Sequence, residues 1–137
     1  MHVDVTQAQG KVKVTVLHVH GDVDAASYQA LIAKAREVYR SGARDLLLDF
    51  GDTPYMGSSG LVALHTIATI MRGDVPPDPE AGWAAIRSIN RAREVGLQEH
   101  VKLLNPQPRV SRVLGMAGFD QFFEIYTDWE TAIASFG

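Results

Sequence analysis

"RDLLLDFGDTPYMGSSGL", residues 44–61, is the stretch on which the fold turns. Leu46, Leu47, Leu48 and Phe50 form an apolar run without alternation. A strand with one wet face alternates with period two, so this pattern predicts a central strand covered on both sides. Residues 51–57 are rich in Gly, Asp and Pro, which predicts a loop. "LVALHTIATIMRG" (61–73) returns with helical spacing, so a helix is expected over 58–71, starting near Ser58.

Upstream, "DVDAASYQALIAKAREVYRSG" (22–42) carries Tyr28, Leu31, Ile32, Ala35, Val38 and Tyr39 on one helical stripe. Asp24 is its expected N-cap and Gly42 its stop, which predicts a helix over 25–41. Before it, "MHVDVTQ" (1–7) and "VKVTVLHVHG" (12–21) alternate on either side of "AQGK" and predict a hairpin. The second strand has two apolar faces: Val12, Val14 and Val16 share one with His18 and His20, while Leu17 and Val19 lie opposite. Covering on both sides, or a bulge, would reconcile them.

Downstream, "DVPPDPEAG" (74–82) holds three prolines and three acids, and predicts an inserted surface loop over 73–82. "WAAIRSINRAREVG" (83–96) predicts a helix over 84–95, with Arg87, Arg91 and Arg93 as a solvated face. "HVKLLNP" predicts a strand, "PRVSRVLGMAG" a helix begun by Pro108 and ended by Gly118, and "FFEIYT" a last strand. "DWETAIASF" predicts a terminal helix capped by Asp128 or Thr127. Strands alternating with helices after a hairpin predict an α/β fold in a single domain, 1–137, with a four- or five-stranded mixed sheet and helices packed mainly on one side.

The chain has 137 residues, no cysteine and a net charge of −3. That length supports a core without disulfide or metal, and the missing cysteines remove thiolate chemistry. Interspersed charges argue against a nucleic-acid surface, and no apolar run approaches the ~20 residues of a membrane helix. No signal-peptide pattern opens the chain, so a cytoplasmic location is expected.

The serine pair in "YMGSSGL" (55–61) admits four readings. A nucleophile elbow needs Gly-x-Ser-x-Gly, and neither serine has glycine two residues away on both sides. A phosphate loop needs a following Gly-Lys-Ser or Gly-Lys-Thr, which is absent. Ser58 as a helix N-cap would satisfy one free backbone N–H. As a modified serine, Ser58 would set a phosphate among free N–H groups at the positive end of a helix dipole, and so switch a protein interface by charge.

These motifs, in this order, resemble the STAS domain family, in particular the bacterial anti-sigma factor antagonists. "GDVD" (21–24) is similar to the family's Gly-Glu-Leu-Asp-like turn, Asp49 and Phe50 to its strand end, and "GSSGL" (57–61) to its Asp-Ser-Ser-Gly-Leu signature. "LLNPQPRVSRVLGMAGFDQFFEIYTDWETAI" (103–133) follows the family's C-terminal third. The resemblance implies a non-enzymatic protein that binds an anti-sigma factor serine kinase, without a cofactor. It makes Ser58 the phosphate acceptor, with Ser59 as the alternative, and Asp22, Asp24, Gly57, Ser59 and Gly60 the partner-binding set. Gly57 stands where the family has aspartate. Together with the insertion, it favours an alternative: a scaffold or accessory subunit that is never phosphorylated.

Two further groups have competing readings. His18, His20, Asp22 and Asp24 alternate along one segment and could face a metal, but polar strand ends look the same and no second cluster completes a shell, so no metal site is predicted. Trp83 and Trp129 open helical segments and read as packing residues.

Overall fold

The computed structural model describes residues 1–74 and 97–137. The inserted loop beyond Asp74, the helix expected over 84–95, Trp83 and the three arginines lie outside the described residues.

Five strands form one sheet in chain order: β1 (His2–Gln9), β2 (Lys13–His20), β3 (Leu46–Asp52), β4 (Val101–Leu104) and β5 (Ile125–Tyr126). The hairpin pairs β1 and β2 antiparallel, and every later pair is parallel. β3 is therefore central, and Leu46, Leu47, Leu48 and Phe50 are all fully buried, as the unbroken apolar run predicts. The two-faced β2 has both of the expected causes. Val14 and Val16 pack on one side of the sheet, Leu17 and Val19 on the other. The β2–β3 register also shifts between His18 and His20.

On one face lie α1 (Tyr28–Arg40), α2 (Ser58–Met71) and α3 (Pro108–Met116), over the larger core. The last helix, α4 (Trp129–Ala134), covers the opposite face through Ala132 and Ile133, with Phe136 just beyond it. Its attachment was not legible in the sequence. Lys102 on β4 is 5% exposed; its ammonium donates to the Ser135 carbonyl (2.9 Å) and hydroxyl (3.1 Å) and pairs with Glu124 (3.0 Å). Burying a lysine is tolerated when the charge is paired and its protons are used, as here. Asp128 caps α4 as expected, accepting from the Thr131 N–H at 2.9 Å.

Four local readings need correction. The first helix starts at Tyr28 rather than at 25 and ends at Arg40, since residues 25–27 form a turn held by Asp24. The Asp24 carboxylate accepts from the Ala26 N–H, its own N–H donates to the Ser27 hydroxyl, and its carbonyl accepts from the Ser27 and Tyr28 N–H groups, so it closes that turn rather than capping the helix. The N-cap of α2 is Gly57, in extended conformation, and Ser58 is the first helical residue, so its hydroxyl caps nothing. The last strand is only Ile125–Tyr126, because Phe122 and Phe123 turn into the core against Phe119 instead of pairing.

Candidate functional site

The C-terminal ends of β2, β3 and β4 point the same way, and in an open α/β sheet that end is where loops gather into sites. Gly21 has φ +103°, a left-handed value that costs other residues energy, and it turns the chain out of β2 into "DVD". Val23 then forms a one-residue parallel bridge with Met56. Its N–H donates to the Tyr55 carbonyl and its carbonyl accepts from the Gly57 N–H, both at 3.0 Å. From the β4 side, the Gln107 side-chain amide donates to the Gly51 carbonyl at 3.0 Å. Three loops far apart in sequence are thus joined, two through backbone hydrogen bonds and the third through the Gln107 side chain.

This bridge brings the segment containing Asp22 and Asp24 beside the segment containing Gly57, Ser58, Ser59 and Gly60. Ser58 is exposed and Ser59 half-buried, and among the described residues neither hydroxyl has a hydrogen-bond partner. The first turn of α2 carries no acidic residue, so the free N–H groups and the positive dipole end there are not neutralised from within the helix. Asp22 is exposed, while its carbonyl accepts from the Ser27 hydroxyl at 2.8 Å. Asp24 is half-buried and committed to its turn.

Gly57 and Gly60 do different work. A Cβ on Gly57 would come within 3.3 Å of the Tyr55 hydroxyl, the tip of a side chain 44% exposed. A Cβ on Gly60 would lie 2.3 Å from Met56 Cγ, inside the fully buried packing of Met56 and Val23. Gly60 is therefore the space that seats the bridge, and it is itself buried. Sequence reasoning missed Val23, Tyr55 and Met56; a buried-type Val and Met flanking polar loops were the available signal.

The histidines make a separate array. His18 Nδ1 contacts Asp49 (2.7 Å) and its Nε2 the Thr6 hydroxyl (2.8 Å), and Trp129 stacks on its ring. His20 contacts Asp52 through Nδ1 (2.6 Å) and Asp4 through Nε2 (3.0 Å). Neither meets Asp22 or Asp24, so the four residues weighed as metal ligands are not brought together. Among the described residues no group of three or more ligand-type side chains has metal-binding geometry.

His20 lies between two carboxylates, which only accept, so both of its ring nitrogens donate when both contacts hold. Its pKa is raised above 6.5, first by the hydrogen bond to Asp52 and further by Asp4, against partial desolvation. The stabilisation from a raised base is complete below pH 6.5 and is lost as pH climbs through the folded-state value. In an NMR titration the His20 midpoint should lie above 6.5, and Asp52→Asn should bring it down toward that value. An Asp52→Asn midpoint equal to wild type would refute the contact.

A family model of the STAS domain matches residues 5–73. The fold is similar to an anti-sigma factor antagonist from Mycobacterium paratuberculosis, at 16% identity and a TM-score of 0.65 over 98% of this chain and 93% of that one. A putative anti-sigma factor antagonist from Thermotoga maritima is similar at 14% identity and a TM-score of 0.69, over 96% and 91%. The Bacillus cell fate determinant SpoIIAA in its phosphorylated form is similar at 16% identity and a TM-score of 0.53, over 96% of each chain. A search of curated proteins found no match. At these identities the structures speak for the fold, and the family match runs from within β1 through β2, the Val23–Met56 bridge and the serine pair to the end of α2. Five strands in the order β1 to β5, the joined loops at their C-terminal ends and that match agree: the chain belongs to the STAS domain family.

Proposed function

We propose that this protein is an anti-sigma factor antagonist whose binding to an anti-sigma factor serine kinase is switched by phosphorylation of Ser58. The observation that carries the reading is the Val23–Met56 bridge, which sets an exposed, unpartnered serine hydroxyl at the start of a 14-residue helix beside the Asp22 turn. Two of the similar structures are described as anti-sigma factor antagonists or putative ones, and one is a phosphorylated form. In this reading Asp22, Asp24, Gly57 and Ser59 surround the acceptor on the partner-facing surface, and Gly60 acts by seating Met56 beneath it. A phosphate at Ser58 is held by the helix N-terminus while adding about −1.5 to −2 charge to a surface the partner must cover, so affinity changes more than stability.

The test is incubation with ATP and the anti-sigma factor serine kinases of the same genome, followed by mass spectrometry. Phosphate is expected on Ser58. Ser58→Asp should weaken kinase binding about tenfold, or about 1.4 kcal/mol, with an unchanged circular dichroism spectrum, and Ser58→Ala should bind but resist switching.

Gly57 favours a second reading, the non-phosphorylated scaffold or accessory subunit, because the Tyr55 ring occupies the approach where a side chain at 57 would stand. Phosphate on neither serine would move the conclusion to that reading. Phosphate on Ser59 alone would keep the switch and shift it by one residue.

A further inference from the structure

We propose that β1 is a homodimerisation edge: two copies of this chain pair β1 to β1 antiparallel about a two-fold axis through Val5, joining their sheets. The direction of the backbone groups follows from β2. Thr15 and Gly21 donate to the Asp45 and Asp52 carbonyls on the β3 side, so odd-numbered residues of β2 face β3 and even-numbered ones face β1. The register pairs His20 with His2, His18 with Asp4, Val16 with Thr6 and Val14 with Ala8. The even-numbered residues of β1 therefore spend their backbone groups on β2. Val3, Val5 and Gln7 point theirs outward, where no chain of the described residues pairs with them.

An open row of this kind templates another strand unless something blunts it. The usual devices are a proline, an inward-facing charge, a lysine or a bulge within the edge. "HVDVTQAQ" (2–9) has no proline and no lysine, its one carboxylate, Asp4, is paired with His2 and His20 of the same sheet, and its register with β2 is unbroken over eight residues. The opposite edge, β5, is two residues long and offers no comparable template. Val5, an apolar β-branched residue in the middle of the strand, is 41% exposed.

Self-complementarity selects a second copy as the occupant. Centring the pair on Val5 sets Val5 against the partner's Val5 and Val3 against the partner's Gln7. Asp4 then meets the partner's Thr6, and His2 meets the partner's Ala8. Each outward-facing pair can exchange two hydrogen bonds, the central pair is β-branched, and no like charges face each other. Centring one residue earlier opposes Asp4 to the partner's Asp4, which costs energy. The two-fold makes the interface isologous and closed, so it ends at two chains rather than growing into a fibre. β1 flanks the sheet while the Ser58 loops stand at the strand ends, so the contact is independent of the switch proposed above.

One strand pair buries little area, so the dimer should be weak, with a dissociation constant on the order of tens of micromolar. Sedimentation velocity of the full chain, taken to about 100 µM, should show a reversible monomer–dimer equilibrium. Val5→Pro removes only an outward N–H, which an edge strand tolerates, and should leave a monomer at every concentration with an unchanged circular dichroism spectrum. Val5→Lys should do the same by charge. Hydrogen exchange on the unmodified protein needs no variant: the Val3, Val5 and Gln7 amides should slow as concentration rises, while those of Thr6 and Ala8 stay slow throughout. A wild-type monomer at 100 µM, dimers that survive both substitutions, or concentration-independent exchange at the three amides would each overturn the proposal.

Discussion

Gly60→Ala is expected to melt about 8 °C below wild type, a loss of about 2 kcal/mol. Alanine at an internal helix position ordinarily gains up to about 1 kcal/mol over glycine, so the expected sign runs against propensity. Packing decides it. The added Cβ would sit 2.3 Å from Met56 Cγ, 3.1 Å from its sulfur and 3.3 Å from Val23 Cγ1. Methionine normally yields by changing rotamer, but Met56 and Val23 are both fully buried, and a close-packed interior resists the displaced atoms. The backbone must move, and the bridge at Val23 and Met56 moves with it. Gly57→Ala is the matched control: its nearest neighbour is the exposed Tyr55 ring, which can swing into solvent, so stability should change by less than about 0.5 kcal/mol. Thermal melts of the two variants decide the matter. A Gly60→Ala protein as stable as wild type would mean that the seat is looser than these distances require.

Acidification is expected to remove on the order of 2 kcal/mol through one residue, His65. It lies within α2, is 2% exposed, and has its pKa lowered to about 4, chiefly by burial and secondarily by the Arg72 charge. The unfolded chain takes up this proton near the ordinary value of 6.5 and the folded chain only near 4. The His65 contribution is therefore complete above pH 6.5, is lost as pH falls through that window, and is exhausted below about 4. A denaturant series at pH 7, 6, 5 and 4 should show this slope, and His65→Phe should flatten it because no proton is left to bind. If His65→Phe kept the wild-type slope, the loss would belong to other groups. His20 has the opposite sign: its stabilisation is lost as pH rises, so the two histidines can be separated in one titration.

What the sequence determined by itself is a matter of period and punctuation. The unbroken apolar run at 46–50 needed cover on both faces, and that alone made β3 central and an α/β layering necessary. The helical stripe of α1, Pro108 at the start of α3 and Asp128 at the head of α4 were legible because each acts within a few residues of itself. "GSSGL" (57–61) placed Ser58 at a helix start for the same reason.

What only the tertiary structure decided involves residues far apart along the chain. Ser58 passed from cap to open hydroxyl because Gly57 took the capping position while bonded to Val23, more than thirty residues earlier. The Asp22 turn reached the serine loop through that same bridge. His18 and His20, which shared a spacing with Asp22 and Asp24, found Asp49, Asp52 and Asp4 on neighbouring strands instead. Lys102, within a strand the sequence did reveal, anchors the last helix through Ser135, a contact spanning more than thirty residues. Periodicity reports which face a residue takes relative to its own element, because the repeat is set by the local backbone. Which other element meets that face depends on strand order and register, and those are chosen by the summed packing of the whole chain.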